Sequence, residues 1–222
     1  MDVGARVVVP ALKALGVDRV DAVVLTHPHP DHFGGLSAVL SHFQVAEVWT
    51  NGCALDVSGV KSLQEQMQAQ GVNHRVIDKP TRITVANAVI EVIHPTPCRA
   101  HLSANDNSLV LRLVYRRFSA LLTGDIEHAA ERIIVDTAWP LKSTLLKVPH
   151  HGSKTSSRHG LLRAVDPELA VAQAIDGGRF GLPHAQIEAR YESMGIPLLV
   201  TGRHGAIQVQ SDGRRWEVSQ WR

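Results

Sequence analysis

Three histidines and one aspartate lie within six positions of the segment THPHPDHFGGL, residues 26–36. Histidine is the commonest metal ligand in proteins near neutral pH, and aspartate is a frequent second type. Alternate residues of an extended segment point the same way, so His27 and His29 can reach one point together. Asp31 and His32 lie further along the turn and can face a second point. The spacing therefore predicts half of a two-metal site.

A carboxylate follows a second apolar segment, ALLTGDIE, residues 120–127. Asp125 lies just past the end of the strand that this segment predicts, where active-site carboxylates are common. An oxygen ligand that bridges two metal ions would complete such a site. The alternative is that Asp125 caps the start of the next helix. The first motif favours the bridging ligand.

The third cluster is LLKVPHHGSKTSS, residues 145–157, in which another predicted buried strand ends at His150 and His151. Adjacent residues point in different directions, so we expect one histidine to bind metal and the other to contact the substrate or donate a proton. Ser153 and Thr155 offer hydroxyl and backbone N–H groups ahead of a predicted helix. Such groups can bind an anionic phosphate, and the alternative is ordinary N-capping.

Strands and helices alternate along the chain and must position these residues. Apolar runs such as DAVVLT and VAEVWT predict buried strands, and VSGVKSLQEQMQAQG has apolar residues at helical spacing. Gly34 and Gly35 are expected to let the backbone bend sharply from the histidine loop into a helix. This pattern predicts an α/β protein with sheets inside and helices outside. No repeat or long linker divides the chain, so we predict one domain over residues 1–222.

The composition is that of a globular protein with a sizeable core: 222 residues, 44% hydrophobic, with a formal net charge of +2. The mild positive charge permits a polyanionic substrate without requiring one. No secretory signal is recognisable and no apolar run reaches the roughly 18 residues that a spanning helix needs. We therefore expect this chain to be soluble, and cytoplasmic by default. Two cysteines without a CxxC pair do not predict a thiolate metal site.

The three motifs, in this order, resemble the metallo-β-lactamase superfamily. The segments VPALKALGVDRVDAVVLTHPHPDHFGGL, NDNSLVLRL, LLTGDIE and LLKVPHHGSKTSS are similar to one branch, the C-terminal domain of ComEC-type DNA-uptake channels and its stand-alone relatives. The resemblance spans most of residues 4–210. It implies an αββα sandwich with a metal site at one edge of the sheets. It also implies a metal-dependent hydrolase, which in the channel branch is proposed to be a nuclease acting on incoming DNA.

The resemblance implies that two divalent ions are held by six residues: His27, His29, Asp31, His32, Asp125 and His151. Asp125 would bridge the ions, and His151 is favoured over His150 because of the pattern in related members with two histidines. Nitrogen and oxygen ligands suit Zn²⁺ or Mn²⁺, and Fe²⁺ also fits. Asp31 or the metal ions would orient the attacking water, and His150 would contact the substrate or protonate the leaving group. Asp31 and His150 are therefore predicted to be catalytic.

Two features depart from the family pattern. A further histidine is common before the Gly-Asp motif, but the matching region HLSANDNSLVL carries Asn105, Asn107 and Ser108, none of which is a strong ligand. His94 and His101 are the alternatives for that position, and Asn107 is predicted to contact the substrate. The family also has a hairpin with a Gly-Asp-Ala element before the segment DVG. The sandwich is therefore expected to lack its usual N-terminal hairpin.

The segment RFGLPHAQIEARYESMG places His184 before a predicted helix. It resembles the family's histidine-proline segment near the mouth of the active site, which implies that His184 contacts the substrate. The alternative is an exposed histidine at the start of a helix.

The sequence as a whole predicts a binuclear phosphodiesterase or nuclease that acts on DNA during uptake, as in competence. One alternative is a metallohydrolase of another class, such as a lactonase, thioesterase or β-lactamase-like enzyme. Another is a non-catalytic DNA-binding or channel-docking module. DNA is the predicted substrate, and the predicted partner is a membrane channel region on a parent or partner chain. In that case the chain would be associated with the inner membrane.

Overall fold

A computed structural model of the chain describes residues 2–53, 58–94 and 97–221. Its contacts group the chain into two compact units, a first unit (Met1–Asp78) and a second unit (Lys79–Arg222). Each unit has its own sheet and helices, which confirms the predicted α/β class. The single domain over residues 1–222 stays a prediction. Within the ranges above, no helix combines the length and apolar character needed to cross a bilayer.

The first unit is built on a three-stranded parallel sheet in the order β1–β2–β3. The strands are β1 (Arg19–Leu25), β2 (Gln44–Thr50) and β3 (Asn73–Val76). The helical segments are a π-helical turn (Gly4–Val8), α1 (Val9–Ala14), α2 (Pro30–Phe33), α3 (Leu36–His42) and α4 (Ser58–Ala69). Leu36, Val39, Leu40 and Phe43 follow the spacing of one helical face, and all four are buried in the core of this unit. That packing anchors α3 behind the histidine segment.

Gly34 and Gly35 do not provide the special backbone conformation that the sequence suggested. Their φ angles are −61° and −91°, which any residue adopts in a right-handed helix. Gly35 is instead required by a close approach to Gly4 across the unit. A Cβ atom added to Gly4 would lie 2.2 Å from the carbonyl oxygen of Gly35, and one added to Gly35 would lie 3.0 Å from the Gly4 Cα. The two glycines therefore let the first turn of the chain pack against the start of α3.

The second unit is built on a seven-stranded mixed sheet in the order β10–β9–β8–β7–β6–β5–β4. Its strands are β4 (Thr81–Val85), β5 (Ala88–His94), β6 (Val110–Tyr115), β7 (Phe118–Leu122), β8 (Leu145–Lys147), β9 (Leu169–Ala172) and β10 (Leu198–Val200). An antiparallel hairpin, β11 (Ala206–Ser211) and β12 (Trp216–Trp221), follows. The helices are α5 (His128–Val135), α6 (His159–Val165), α7 (Ala185–Ser193) and α8 (Thr201–His204), with a 3₁₀ turn at Pro149–Gly152.

Strand direction in this sheet decides where the functional residues meet. β4 to β7 pair antiparallel, whereas β7, β8, β9 and β10 pair parallel with one helix between each successive pair. Helices α5, α6 and α7 bury apolar residues such as Ile134, Leu162 and Ile187 in the core of this unit. Because parallel strands end at the same edge of a sheet, the segments after β7, β8 and β9 lie side by side.

We predict that Gly4→Ala lowers the free energy of unfolding by about 1–3 kcal/mol, because the added methyl group overlaps backbone atoms that cannot move aside easily. Urea unfolding of the variant and the wild type measures the difference. Gly160→Ala is the matched control, since a Cβ atom there meets no atom of the described residues within 4 Å. The control should be neutral or slightly stabilising, because alanine is a better helix former than glycine. Equal midpoints for Gly4→Ala and wild type would contradict the close approach.

Candidate metal centre

The candidate ligands of the first unit follow β1 directly and form one cluster, which we call the histidine cluster: His27, His29, Asp31 and His32. His27 Nε2 lies 3.2 Å from His29 Nδ1, so the two ring nitrogens converge as the alternation of an extended segment suggests. His27 is buried, and the hydroxyl of Thr26 lies 3.1 Å from its Nδ1. A contact on the second ring nitrogen holds a ligand histidine in one orientation.

Asp31 and His32 lie on the short helix α2 rather than on an extended loop. The Asp31 Oδ2 and His32 Nε2 atoms are 3.7 Å apart, and 64% of the Asp31 side chain is exposed. The ring of His32 is 4.1 Å from the ring of His27 between centroids. All four side chains of the histidine cluster therefore lie together at the carboxyl end of β1.

In the second unit, Asp125 follows β7 and is buried. Its backbone N–H donates to the hydroxyl of Ser108 over 3.1 Å. Lys147, at the end of the neighbouring strand β8, places Nζ 3.4 Å from Asp125 Oδ1 and donates to the carbonyl of Gly124 over 2.9 Å. Ser108 thus holds the backbone of Asp125, and Lys147 contacts one oxygen of its carboxylate. The sequence motifs did not predict Lys147 as a site residue, although a lysine within the apolar segment LLKVP is unusual enough to indicate one.

Asp125 is not the cap of α5. The carboxylate of Asp106 accepts the backbone N–H groups of Glu127 over 2.8 Å and of Ala130 over 3.0 Å. These amides lie at the start of α5, where backbone N–H groups have no acceptor within the helix and need one from outside it. The helix-cap alternative for Asp125 is therefore wrong, because another carboxylate performs that role and leaves Asp125 directed elsewhere.

The turn after β8 separates the two adjacent histidines. His150 and His151 have φ angles of 46° and 54°, in the left-handed region that non-glycine residues rarely adopt. Their ring centroids are 6.3 Å apart, at an angle of 64° between the planes. His151 Nε2 lies 3.2 Å from Asp125 Oδ2, whereas His150 Nδ1 lies 3.3 Å from Glu127 Oε1. The two histidines thus have different carboxylate partners. The choice of His151 as the ligand stays a prediction, which this placement favours.

Asp125 and His151, which we call the aspartate–histidine pair, suit a cation. His151 Nδ1 is 2.7 Å from the carbonyl oxygen of Gln173, and a carbonyl only accepts, so this nitrogen carries the hydrogen. In the neutral ring Nε2 then presents a lone pair to a carboxylate oxygen, and two acceptors in contact require a proton or a metal ion. Burial alone lowers the pKa of His151, but hydrogen bonding and attraction from Asp125 outweigh it and raise the pKa. The donor set therefore fits a divalent metal.

The hydroxyl groups after the histidines are bonded within their own loop. Thr155 donates to Glu127 Oε1 over 2.5 Å, and Ser153 Oγ is 2.9 Å from Thr155 Oγ1. Within the described part of the chain, Arg158 precedes α6 and makes no side-chain capping hydrogen bond. The buried carboxylate of Glu131 instead accepts the backbone N–H groups of Ser157 and Arg158, so it occupies the place where a phosphate would bind those amides. Ser153 and Thr155 stay predicted substrate contacts.

The other predicted contacts have structural partners. The Asn107 side chain is buried and bonds backbone groups of its own loop, at Arg99, Leu102 and Ser103. His94 is also buried, with Nε2 2.7 Å from the carbonyl of Asp106, and burial lowers its pKa. His184 caps α7 by accepting the backbone N–H of Gln186 over 3.3 Å. Asn107 and His184 as substrate contacts stay predictions.

A family model for the metallo-beta-lactamase superfamily matches residues 2–173, and the chain belongs to this superfamily. Among curated proteins it is 30% identical over 95% of its length to "ComE operon protein 3" of Bacillus subtilis. It is 31% identical over 90% of its length to "Competence protein ComA" of Neisseria gonorrhoeae. These similarities confirm the predicted resemblance to the competence branch.

The chain spans 27% of the length of each of those two relatives. Among solved structures, the diiron β-hydroxylase CmlA of Streptomyces venezuelae matches with a TM-score of 0.54 and 11% identity, over 82% of this chain and 43% of that one. At that identity the likeness concerns the fold alone. The superfamily implies divalent metal binding, and the assignment of individual ligands stays a prediction.

We predict that Glu131 makes stability fall as pH rises from about 4.5 to about 7. Burial raises the pKa of this carboxyl from 4.5 to about 7 against the opposing effect of its two backbone bonds. The folded state therefore disfavours the charged form, and stability present below pH 4.5 is lost as the pH passes the folded pKa, by about 3 kcal/mol. Urea unfolding across pH 4–8 for wild type and Glu131→Gln measures this, because the variant lacks the titrating group.

Glu192→Gln, at an exposed position of α7, is the control for the loss of one carboxylate. It should retain the wild-type pH profile. Parallel profiles for Glu131→Gln and wild type would show that the buried carboxyl does not titrate in this range.

Proposed function

We propose that this chain is a binuclear metal-dependent phosphodiesterase that cleaves DNA during uptake. The observation that supports it best is the aspartate–histidine pair, whose opposed acceptor atoms suit a divalent ion. The histidine cluster offers the same ligand types at a strand end of the first unit. We propose that the two groups together hold two ions, Zn²⁺ or Mn²⁺, with Fe²⁺ also suitable.

The bound ions would supply an activated water and positive charge against a phosphodiester. The side chains of the protein would then transfer protons and orient the reacting groups. The Asp31 side chain is 64% exposed, so water reaches its carboxylate, which can orient the attacking molecule and accept its proton. Lys147 contacts Asp125 from the side of the sheet and fixes the direction of that carboxylate.

His150 is the proposed proton donor to the leaving oxygen. Its Nδ1 faces Glu127 Oε1 at 3.3 Å, which favours the form with a hydrogen on Nδ1 and directs the opposite nitrogen away from this carboxylate. The hydroxyl of Thr155 donates to the same oxygen of Glu127. Glu127 therefore acts through His150 as a positioning residue. It lies two residues beyond Asp125 in the GDIE segment, so the loop that presents one carboxylate also presents the other.

The substrate assignment rests on chemistry and on the relatives. A phosphodiester is anionic and suits a site of metal ions and histidines, and the chain carries a formal net charge of +2. The names of two curated relatives connect them with competence, and we extend that connection to this chain as part of the proposal.

We expect Asp31→Ala to lower metal-dependent cleavage of DNA at least about 100-fold, since the variant loses both a ligand and the group that orients water. Metal-depleted protein is incubated with labelled single- and double-stranded DNA, and Mn²⁺ or Zn²⁺ is added back. Asp18→Ala, an exposed aspartate of the same unit, is the control and should cleave like wild type.

Metal analysis of the same samples separates the outcomes. Two ions per wild-type chain without cleavage of any phosphodiester would contradict the proposed activity, and turnover of small esters instead would indicate the lactonase or thioesterase alternative. Metal-independent DNA binding without turnover would indicate a non-catalytic module, and such binding should weaken steeply with salt.

Glu127→Gln is expected to lower kcat about 10–100-fold with little change in KM, because His150 loses the carboxylate that orients its ring. His150→Gln should lower kcat similarly, and the double variant should be no worse than the His150 variant. Such non-additivity identifies residues that act through one another. Additive losses, or loss of bound metal from Glu127→Gln, would show that Glu127 has a different role.

A further inference from the structure

An apolar cavity of about 210 Å³ lies beside His151 in the second unit. The segment after β9 forms most of its wall, through side chains that include Ile175, Arg179, Phe180 and Leu182. The mechanism above uses none of these residues. Because the cavity borders a residue of the aspartate–histidine pair, a group bound there would adjoin the reacting part of a substrate.

Two large apolar side chains of this wall are directed to solvent. Ile175 is 77% exposed and Phe180 is 78% exposed, the largest exposed fractions among the large hydrophobic residues that the structure describes. The guanidinium carbon of Arg179 lies 5.8 Å from the centre of the Phe180 ring, within the range of a cation–π contact. Arg179 and Phe180 therefore form a platform with one apolar and one cationic part.

The charge of this platform is not neutralised by nearby acids. Arg203 binds the carboxylates of both Asp176 and Glu188, over 2.7 and 2.6 Å. Among the described residues, Arg179 forms no ion pair. The wall thus offers an unneutralised guanidinium to an anionic ligand, while its acidic neighbours are already paired.

The wall is held in position before any ligand arrives. The backbone N–H of Gly178 donates to Ile175, and that of Gly181 donates to Gly178, so two consecutive turns shape the segment. At its base, the N–H of Ala174 donates to the hydroxyl of Thr201 over 3.1 Å. A wall fixed in this way loses less conformational entropy when a ligand binds.

We propose, on the basis of the function above, that this cavity receives one unstacked base of a single-stranded nucleic acid. The base would stack on Phe180, and Arg179 would contact the adjoining phosphate. Aromatic side chains bind the face of any base, and a cationic groove follows the backbone, which is the usual basis of single-strand binding without sequence preference. The volume is below the roughly 300 Å³ at which small-molecule pockets begin, so it suits one part of a longer ligand.

The same geometry disfavours duplex DNA. Bases in a duplex are stacked on one another and paired, so a base can enter the cavity only after unpairing, which costs a few kcal/mol. The cavity therefore makes single strands the substrate class of this site.

The test measures binding of hydrolysis-resistant phosphorothioate oligonucleotides of equal length by fluorescence anisotropy, with metal present. One oligonucleotide carries bases, a second is abasic, and a third is a duplex. Phe180→Ala should raise Kd about tenfold for the first and leave the abasic one unchanged, and Phe180→Trp should restore tight binding. Trp221→Ala changes another exposed aromatic residue, one that does not line this cavity, and should leave all three unchanged.

Arg179→Ala distinguishes the phosphate contact from the base contact. It should weaken the base-bearing and abasic single strands alike, and should reduce the slope of log Kd against log salt by about 0.7. If Phe180→Ala weakened binding of the base-bearing and the abasic single strand equally, the base site would be overturned. Tighter binding of the duplex than of the single strand by wild type would also overturn it. Loss of hydrophobic-ester turnover alone in Phe180→Ala would also overturn it, in favour of an acyl chain.

Measuring cleavage of the unmodified oligonucleotide by wild type distinguishes failure of the proposed nuclease activity from failure of the proposed base site. Base-dependent binding without any cleavage would contradict the nuclease activity and support the base site. Cleavage that does not depend on Phe180 would support the nuclease activity and overturn the base site.

Discussion

The left-handed turn at His150 and His151 is the constraint on which the site of the second unit depends. Two consecutive non-glycine residues with positive φ cost roughly 1–2 kcal/mol each, so surrounding contacts must hold them. The N–H of Ser153 donates to the carbonyl oxygen of His150, and the hydroxyl of Ser156 donates to the carbonyl oxygen of Pro149. With this turn, His151 faces Asp125 and its neighbour His150 faces Glu127.

The acidic residues around this turn have different partners: some accept the backbone N–H groups at helix starts, and others contact the two histidines. Asp106 satisfies the first amides of α5, and Glu131 satisfies the amides that lead into α6. Glu127 contacts His150, which leaves Asp125 to face His151. Buried polar groups need partners, so each helix start next to the site requires its own acceptor. In our proposal, Asp125 can bind a cation because other carboxylates meet that need.

The fold itself does not identify the substrate. A diiron hydroxylase shares it at 11% identity, and one fold can host unrelated reactions. The substrate therefore has to be inferred from the walls beside the aspartate–histidine pair. In our proposal, the exposed aromatic residue and the unneutralised arginine of that wall bind a nucleic acid rather than a small neutral ester, and the cavity receives one base of a single strand.

The sequence by itself determined the family, the alternation of strands and helices, and the residue types of the candidate ligands. These depend on local spacing and on short-range apolar patterns. Tertiary structure decided that Gly35 is needed to contact Gly4, that Asp106 caps α5, and that Glu131 occupies the amides before α6. It also decided which side chains line the cavity beside His151. Each of these contacts joins residues that are more than 20 positions apart in the sequence. Local sequence patterns do not show which distant residues come together.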